Sequence, residues 1–481
     1  EEPKAPDLEL NVLQSIEDVT ARVNAAVKPE MPASEAFVAR RAVIATIEKE
    51  SLDKTGLRSD VVTLYQGGQY HLHRYKKYTD IRLVWAPEFD IAFFGGDPDN
   101  FEYPRYDLNV CIFRAYENDK PAKIEHFLKW SKSGAGDNEL VFVSGHPGKT
   151  DRLNTMAALK FNRDVRVPYI LNFLRRQEIM LQQYCQDGEE QSRIGKEDLF
   201  GIQNSRKALL GQLEGLQDAG IMAKKESAER TLRAHVEGNP RLRASYGTAW
   251  TRIEQAKQIQ AGLLVEHSVL ESGHGFAGNL FAIAKTLVRL ADENERPNAQ
   301  RLREYSDSAR SSLELQLFSA APIYEDMEQV KLANSLSYFA EKFGGDAPLV
   351  KRVLAGKSPA SRAAELIAGS KLKDIEERKR LATGGKRAIE QSQDPLIQLA
   401  RLIDPEARAI RKKYEEQAIE PERQAYSLIS QALFEIEGPS RYPDGTFTLR
   451  LSYGTVKGYL ENGQQIPPWT TMGQTFDMRH D

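Results

Sequence analysis

Two kinds of hydrophobic periodicity divide the chain into three parts. Residues 1–164 contain short stretches in which apolar and polar positions alternate, a pattern typical of β-strands. Over 165–435 the apolar positions recur every three or four residues, as in YILNFLRRQEIMLQQY, and good helix formers dominate. Alternation returns over 436–481. The pattern predicts an α+β chain in which a large helical insertion interrupts one β-rich domain.

Several elements of the first part are marked by local signals. A charged helix is predicted over Ala33–Lys54, and Gly56 just beyond it is a typical stop. Alternating residues on both sides of Gly67–Gly68 predict a hairpin. The stretches IAFFGG and VCIFRAYE are interpreted as short strands. ELVFVSGHPGKT predicts a buried apolar strand that enters a Gly/Pro turn.

The last part carries two hairpin signals. Asp444–Gly445 and Asn462–Gly463 are turn pairs, and each is flanked by alternating residues. Asn-Gly and Asp-Gly pairs favour the tight turns that connect antiparallel strands. Both pairs are therefore predicted to close hairpins.

Composition and charge limit the classes of function. With 41% hydrophobic and 28% charged residues, the chain has the composition of a globular protein. A net charge of -3 argues against nucleic acid or an anionic membrane as partner. No apolar run is long enough to cross a bilayer. No signal peptide is expected in the polar start EEPKAPDLELN, and a processed or truncated start would look the same. Cys111 and Cys185 are expected to be buried free thiols rather than a disulfide, and a zinc site is not expected.

Three short motifs each have an ordinary structural interpretation. Gly273–Gly278 matches GxGxxG, but a helical pattern precedes it, so a helix–helix connection is favoured over a nucleotide site. Ser144 and His146 lie too close along a tight turn to face each other. His71 and His73 share one strand face without a third ligand, so a half-exposed face is favoured over a metal site. We expect no cofactor and no metal.

The stretch GGDPDNFEYPRYDLN, from Gly95 to Asn109, is the best candidate for a binding site. It combines turn formers, aromatic rings and acidic residues. One interpretation is an ordered surface loop. The other is that Asp97, Asp99 and Asn100 supply carboxylate and amide partners beside rings that exclude water.

This stretch resembles the S46 peptidases, a family of bacterial dipeptidyl peptidases. GGDPDNFEYPR and the following FRAYE carry the resemblance. Supporting matches follow in order along nearly the whole chain: SGHPGKTDR, QNSRKALLGQLEGL and LRLSYGTVKGY. The resemblance implies a chymotrypsin-like double β-barrel, present here in part, with an inserted helical domain. It also implies a homodimer that is periplasmic or on the cell surface.

The resemblance implies a Ser-His-Asp triad that is incomplete here. The family's His is expected before the region that matches Glu1, and its Ser beyond the region that matches Asp481. The triad Asp falls four residues after the Pro-Arg of the motif, where this chain has Asn109. An asparagine can hold the histidine in the wrong tautomer. Asp107, two residues away on the same strand face, is a conceivable substitute.

The resemblance also assigns substrate-binding residues. Asn100 and Phe101, where many members have Trp, are implied to hold the free amino group of a peptide, with Asn204 from the helical domain. The helical domain would act as a lid. Two functions stay open for the chain: a serine-type dipeptidyl aminopeptidase acting on free N-termini, inactive without its His and Ser, or a non-catalytic peptide-binding protein.

Overall fold

The chain forms two compact units. The computed structural model describes residues 2–28, 31–438 and 441–474. The first unit comprises Glu1–Leu13, Lys76–Asp151 and Asp444–Asp481, and the second comprises Gln14–Tyr75 and Arg152–Pro443. The units therefore divide the chain at other positions than the predicted parts 1–164, 165–435 and 436–481. The difference arises chiefly because Gln14–Tyr75 groups with the helical segment.

The strands are short and form small sheets. Their order in four sheets is β1-β3-β2, β4-β5-β6, β7-β8 and β9-β10. No sheet within the described ranges closes into a barrel, so the double barrel stays a prediction. The strands are β1 Leu10–Asp18, β2 Arg58–Leu64, β3 Gln69–Tyr78, β4 Asp80–Trp85, β5 Ile112–Glu117, β6 Lys120–Pro121, β7 Leu140–Gly145, β8 Arg450–Thr455, β9 Tyr459–Glu461 and β10 Gln464–Ile466.

Helices make up most of the second unit. The described residues of 165–435 contain helices and turns and no strand. The helices are α1 Thr20–Ala25, α2 Ala33–Thr55, α3 Phe89–Ala92, α4 Gly96–Asp99, α5 Met156–Phe161, α6 Val167–Gln186, α7 Glu189–Gln217, α8 Ala219–Gly238, α9 Pro240–Tyr246, α10 Ala249–Leu270, α11 Asn279–Asn294, α12 Arg310–Leu317, α13 Glu325–Phe343, α14 Pro348–Leu354, α15 Pro359–Gly369, α16 Ile375–Gln391, α17 Pro395–Tyr414 and α18 Glu420–Glu437.

The core of the second unit lies among its helices. Its largest cluster joins α11, α13, α15 and α17 through buried side chains such as Leu287, Leu336, Leu366 and Ile403. Each of these helices has an apolar face, because its apolar residues recur with the helical period of 3.6. Packing the helices side by side in a bundle buries those faces against one another.

The predicted first helix and its stop are confirmed. Helix α2 spans Ala33–Thr55, one residue longer than predicted, and begins after Pro32. Gly56 has φ 68°, and its N–H donates to the Leu52 carbonyl at 2.8 Å. A left-handed residue satisfies an open carbonyl at the helix end, and glycine adopts that conformation without a Cβ penalty.

One of the two C-terminal hairpin predictions is confirmed. Asn462–Gly463 connects β9 to β10 with φ 48° and 80°, the pair of positive values that a tight hairpin turn requires. The prediction for Asp444–Gly445 is wrong, because this pair joins no two strands. The N–H of Gly445 donates to Thr150 Oγ1, and that hydroxyl donates to Asp444 Oδ1, at 2.8 and 2.9 Å.

The hairpin at Gly67–Gly68 is also confirmed. Strands β2 and β3 pair antiparallel on either side of it, from Leu64↔Gln69 to Arg58↔Tyr75. The predicted strand in VCIFRAYE is confirmed as β5. The predicted strand in IAFFGG is wrong: the chain forms the short helix α3 there, with the N–H groups of Ile91 and Ala92 bonded to the Glu88 carbonyl. A short apolar run has too few residues to separate a strand from a helical turn.

The predicted burial of ELVFVSGHPGKT is wrong as well. Its residues form β7, which pairs only with β8 among the described residues. Leu140, Phe142 and Val143 are more than half exposed, as are Leu451 and Tyr453 on β8. An apolar strand is buried only when other layers cover its faces, and a two-stranded sheet provides none.

Two further burial predictions need correction. Both cysteines are free, but Cys111 is exposed just before β5 and Cys185 is half-buried. The strand face with His71 and His73 was predicted to be half-exposed, and this is confirmed for His71 only. His73 is buried, and its Nδ1 lies 3.1 Å from the Tyr75 hydroxyl.

The GxGxxG motif is a helix–helix connection, as predicted. It lies between α10 and α11, and the buried Glu328 carboxylate accepts bonds from the N–H groups of Asn279 and Leu280 at 3.0 and 2.8 Å. A Cβ at Gly278, which has φ 130°, would lie 2.8 Å from Glu328 Oε2. The open N–H groups at the start of α11 therefore bond an internal carboxylate, at the place where a nucleotide motif would bind phosphate.

This carboxylate yields a stability prediction. Replacing Glu328 by Gln removes a charge-assisted cap, so the free energy of unfolding should fall by about 1.5–3 kcal/mol. Glu325→Gln, at an exposed position of the same helix, should change it by about 0.5 kcal/mol or less. Urea unfolding of the three proteins measures both values, and equal losses would contradict the capping role.

Candidate functional site

The candidate loop Gly95–Asn109 begins with a turn that requires glycine. Gly95 and Gly96 have φ 81° and 60°, and the single-turn helix α4 follows. A Cβ on Gly95 would lie 1.8 Å from Asp99 Oδ2. The carboxylate of Asp99 therefore packs against the glycine backbone, and it can do so only because that residue has no side chain.

Asn100 and Phe101 follow this turn with opposite exposure. The N–H of Asn100 donates to the Asp97 carbonyl at 3.2 Å, and that of Glu102 donates to the Asp99 carbonyl at 3.0 Å. Asn100 is 9% exposed, whereas Phe101 is 61% exposed and has φ 68°. A left-handed phenylalanine is strained, so the flanking hydrogen bonds must hold it in place. The turn thus fixes a buried amide next to an exposed ring.

The second half of the loop is anchored by residues that are distant in sequence. The Tyr103 hydroxyl donates to the Pro467 carbonyl at 2.8 Å, and the Tyr459 hydroxyl donates to the Tyr103 carbonyl at 3.1 Å. Thr470 Oγ1 donates to the Arg105 carbonyl at 2.7 Å. Sequence reasoning missed these anchors, although Tyr459 belongs to the matching stretch LRLSYGTVKGY. They show that the loop is held by β9 and by the segment that follows β10 in its own unit.

Asp107 is engaged within the loop itself. Its Oδ2 lies 2.8 Å from Arg105 Nε, and both side chains are mostly buried. The Arg105 guanidinium also lies 5.4 Å from the centre of the Phe93 ring. A carboxylate held by this ion pair is less suited to orient a histidine, which weighs against Asp107 as a substitute for the family's acid.

The remaining predicted site residues lie in exposed positions. Asn109 precedes β5, is exposed, and makes no hydrogen bond with the described residues. Asn204 lies on α7 in the second unit and is also exposed. The structure therefore joins Asn100 and Phe101 in one turn and places Asn109 in the same unit. The role of Asn204 stays a prediction.

The chemistry available in this turn is hydrogen-bond acceptance. An asparagine offers one side-chain carbonyl, and every residue offers a backbone carbonyl. No group of three histidine, cysteine or acidic side chains in the described ranges is arranged to hold a metal ion.

None of the helices in those ranges is long and apolar enough to cross a membrane.

Solved structures show a common fold over almost the whole chain. DPP11 of Porphyromonas endodontalis in complex with the dipeptide Arg-Glu matches with a TM-score of 0.71 and 20% identity. The match covers 97% of this chain and 69% of that one. DPP11 without a named ligand matches with a TM-score of 0.61 over 97% of this chain. The chain therefore shares its fold with DPP11 of Porphyromonas endodontalis.

Sequence relatives assign the chain to a family. The Peptidase S46 family model matches residues 1–481, so the chain belongs to the Peptidase S46 family. An Asp/Glu-specific dipeptidyl-peptidase of Shewanella putrefaciens is 26% identical over 84% of this chain and 57% of its own length. Dipeptidyl-peptidase 7 of Porphyromonas endodontalis is 23% identical over 99% of this chain and 59% of its own length. The chain thus spans less than two thirds of these relatives.

Proposed function

We propose that the whole protein is a serine-type dipeptidyl aminopeptidase that releases dipeptides from the free N-termini of peptides. Membership in the Peptidase S46 family over residues 1–481 carries this proposal. Relatives of the family are named dipeptidyl peptidases, and two of the matching structures were solved with a dipeptide.

The turn at Asn100 supports recognition of a free N-terminus. A peptide ammonium has three N–H donors and no acceptor, so it needs several oxygens around it. Asn100 supplies an amide oxygen and Phe101 a backbone carbonyl, on a turn held by hydrogen bonds from both sides. Asn204 would add a second amide oxygen. A substrate whose ammonium is bound at this turn would extend from it toward the catalytic serine. Its second peptide bond would then lie at that serine, and a dipeptide would be released.

The catalytic step would use a triad of which this chain supplies only the acid position. Serine would attack the carbonyl, histidine would accept its proton, and the residue at Asn109 would orient the histidine. The chymotrypsin-like double barrel would bring these three positions together. Because the family's His and Ser are expected outside residues 1–481, this chain alone would be inactive. The protein would be periplasmic or at the cell surface, and a homodimer.

A second candidate function is non-catalytic peptide binding. The identity of Asn109 favours it, because an amide stands where the family has its triad acid. The ion pair of Asp107 with Arg105 removes the nearest alternative carboxylate. Such a protein would keep the ammonium-binding turn and lose the hydrolytic step.

The ammonium contact is tested by Asn100→Ala in the whole protein. A hydrogen bond with a charged partner contributes about 1.5–3 kcal/mol, so the affinity for free-amine peptides should fall roughly tenfold to a hundredfold. N-acetylated peptides lack the charge, so they should bind poorly to both proteins and show little difference. Calorimetric titration with matched free and acetylated peptides measures both effects.

The conservative variant Asn100→Asp is the matched control. It retains an acceptor oxygen and adds a negative charge, so binding of free-amine peptides should be maintained or strengthened. Asn100 is buried, and a purely structural role would lower the melting temperature and weaken both peptide types alike. That result for Asn100→Ala would rule out the ammonium contact while leaving the peptidase proposal to activity assays.

A further inference from the structure

Arginine is the most frequent residue in the wall of a cavity in the second unit. The cavity has a volume of about 300 Å³ and lies between α2, the segment around Arg301–Ser306, and the α17–α18 region. Three glutamates line it: Glu48, Glu304 and Glu415. Its arginines number six: Arg40, Arg41, Arg301, Arg303, Arg411 and Arg423. Positive groups thus outnumber negative ones in its wall, and its volume lies at the lower end of the range for ligand sites.

The glutamates of the wall are already bonded to arginines of the wall. Arg411 donates to Glu304 Oε1 at 2.6 Å and to Glu415 Oε1 at 2.9 Å. Arg303 donates to Glu48 Oε1 at 3.0 Å, and the same oxygen accepts from the Val61 N–H at 2.8 Å. Burial raises the pKa of Glu48 despite the attraction of Arg303. Each acid in the wall therefore neutralises a neighbour that is not Arg41.

Two other arginines are paired with acids outside the wall. Arg40 donates to Glu420 through Nε and Nη2 and to the Tyr70 hydroxyl through Nη1. Arg301 donates to Asp307 Oδ1 at 2.7 Å. Both guanidinium groups are thus neutralised.

Arg423 is only weakly neutralised. Its Nη1 lies 3.7 Å from Glu420 Oε2, on the carboxylate that Arg40 also uses.

Arg41 is the arginine of this cavity that bonds no carboxylate of the described residues, and its guanidinium carbon lies 5.5 Å from the centre of the Phe37 ring. Its Nε is buried and makes no hydrogen bond, and its Nη2 lies 3.4 Å from the Gln300 carbonyl. Burial lowers the pKa of its guanidinium, against the attraction of Glu415 and Glu293. Both of those acids are bonded to other arginines, Glu415 to Arg411 and Glu293 to Arg408. The Arg41 side chain is partly buried, and a buried donor of a charged group is costly unless a partner satisfies it.

We propose that this cavity binds a small phosphate-type oxyanion, with Arg41 as its principal ligand and Arg423 as the second. A guanidinium presents a planar fork of donors that fits phosphate oxygens better than a lysine ammonium does. Thr63 and Ser306 also line the wall, and a hydroxyl can donate to an oxyanion. The Ser306 Oγ also lies 3.1 Å from the Ser308 Oγ. The cavity lies wholly within the second unit, and the site does not depend on the proposed peptidase function.

The test is saturable binding of inorganic phosphate and pyrophosphate to the 481-residue protein. Thermal melts and calorimetry are performed at constant ionic strength, with NaCl replacing the anion in the reference. A ligand that binds only the folded state raises the melting temperature with its concentration. Arg41→Gln should weaken binding roughly tenfold to a hundredfold, as expected for loss of a charge-assisted hydrogen bond. Arg41→Lys keeps the charge but loses the fork, so it should weaken binding less than Arg41→Gln does.

Arg380→Gln is the matched control, because Arg380 lies on α16 outside the cavity and bonds the neighbouring Glu377. It should bind the anions as the wild type does. Tighter binding of pyrophosphate than of phosphate would indicate a site for a phosphate ester or polyphosphate. Tighter binding of phosphate would indicate a site for the free phosphate ion. The proposal is overturned if the wild type shows no saturable binding. It is overturned equally if Arg41→Gln and Arg41→Lys both bind as the wild type does.

Discussion

Replacing Asn109 by Asp should increase the turnover of the complete protein by up to about 10⁴-fold, the factor that the reverse exchange costs a serine protease. The expectation rests on the proposed function, in which the family's His and Ser would lie outside residues 1–481. An aspartate accepts a hydrogen bond from the histidine Nδ1–H and stabilises the imidazolium that forms during attack. An asparagine can instead donate to the ring and hold the other tautomer. The exposed side chain of Asn109 can be exchanged without disturbing a buried contact.

The measurement is kcat on dipeptidyl-coumarin substrates, with Asp107→Asn as the control. Because Arg105 holds Asp107, removing its charge should leave the turnover of the wild type nearly unchanged. A large loss in Asp107→Asn would show that Asp107 already serves as the acid. No gain in Asn109→Asp would favour the non-catalytic peptide-binding function. The isolated 481-residue chain should be inactive with either residue at position 109.

Local backbone chemistry explains which elements the sequence could predict. The helix end at Gly56 and the hairpin at Asn462–Gly463 depend on positive φ angles at single residues, which glycine and asparagine adopt readily. The same reasoning failed at Asp444–Gly445, where Thr150 supplies the hydrogen bonds. An Asp-Gly or Asn-Gly pair shows only a local preference for a turn. Hydrogen bonds to residues distant in sequence determine whether that turn connects two paired strands.

Burial was harder to predict than secondary structure. The apolar residues of β7 are those of a core strand, yet Phe142 and Val143 are exposed because only β8 pairs with that strand among the described residues. Cys111 was expected inside a strand and lies just before one. The hydrophobic pattern shows which residues favour burial. The elements that pack against those residues determine whether they are buried.

The centre of the candidate site stays a prediction from the family resemblance, and the residues that support its loop could not be predicted. The motif GGDPDNFEYPR identified Asn100 and Phe101 through family resemblance, and the structure places them on one ordered turn. The supports come from Tyr459, Pro467 and Thr470, more than 350 residues later in the chain. No local signal links such distant residues. The unpaired donor of Arg41 is likewise a property of the folded cavity alone.

A buried ion network gives the second large prediction. Arg289 is 2% exposed, and its Nε donates to Asp404 Oδ1 at 2.6 Å. Its Nη1 and Nη2 donate to the two oxygens of Glu271 at 2.7 and 2.6 Å. Arg289→Met would leave the carboxylates of Glu271 and Asp404 in the interior with fewer positive groups to balance their charge. Removing one partner of a buried pair costs about 3–5 kcal/mol, so the free energy of unfolding should fall by that amount at neutral pH.

The pH dependence of this loss separates a charge effect from a packing effect. Burial alone would raise the pKa of Glu271, but Arg289, Lys285 and Arg411 outweigh it and hold the pKa below its usual value. A lowered carboxyl pKa stabilises the fold above the pKa of the unfolded chain, and this contribution is lost as pH falls through the folded value. Without Arg289 the carboxylates should be protonated more readily, so the gap between wild type and Arg289→Met should narrow as the pH is lowered. Urea unfolding at several pH values measures the gap, with the exposed Arg380→Met expected to cost no more than about 1 kcal/mol. A loss that stays constant with pH would mean that Arg289 contributes through packing and not through its charge.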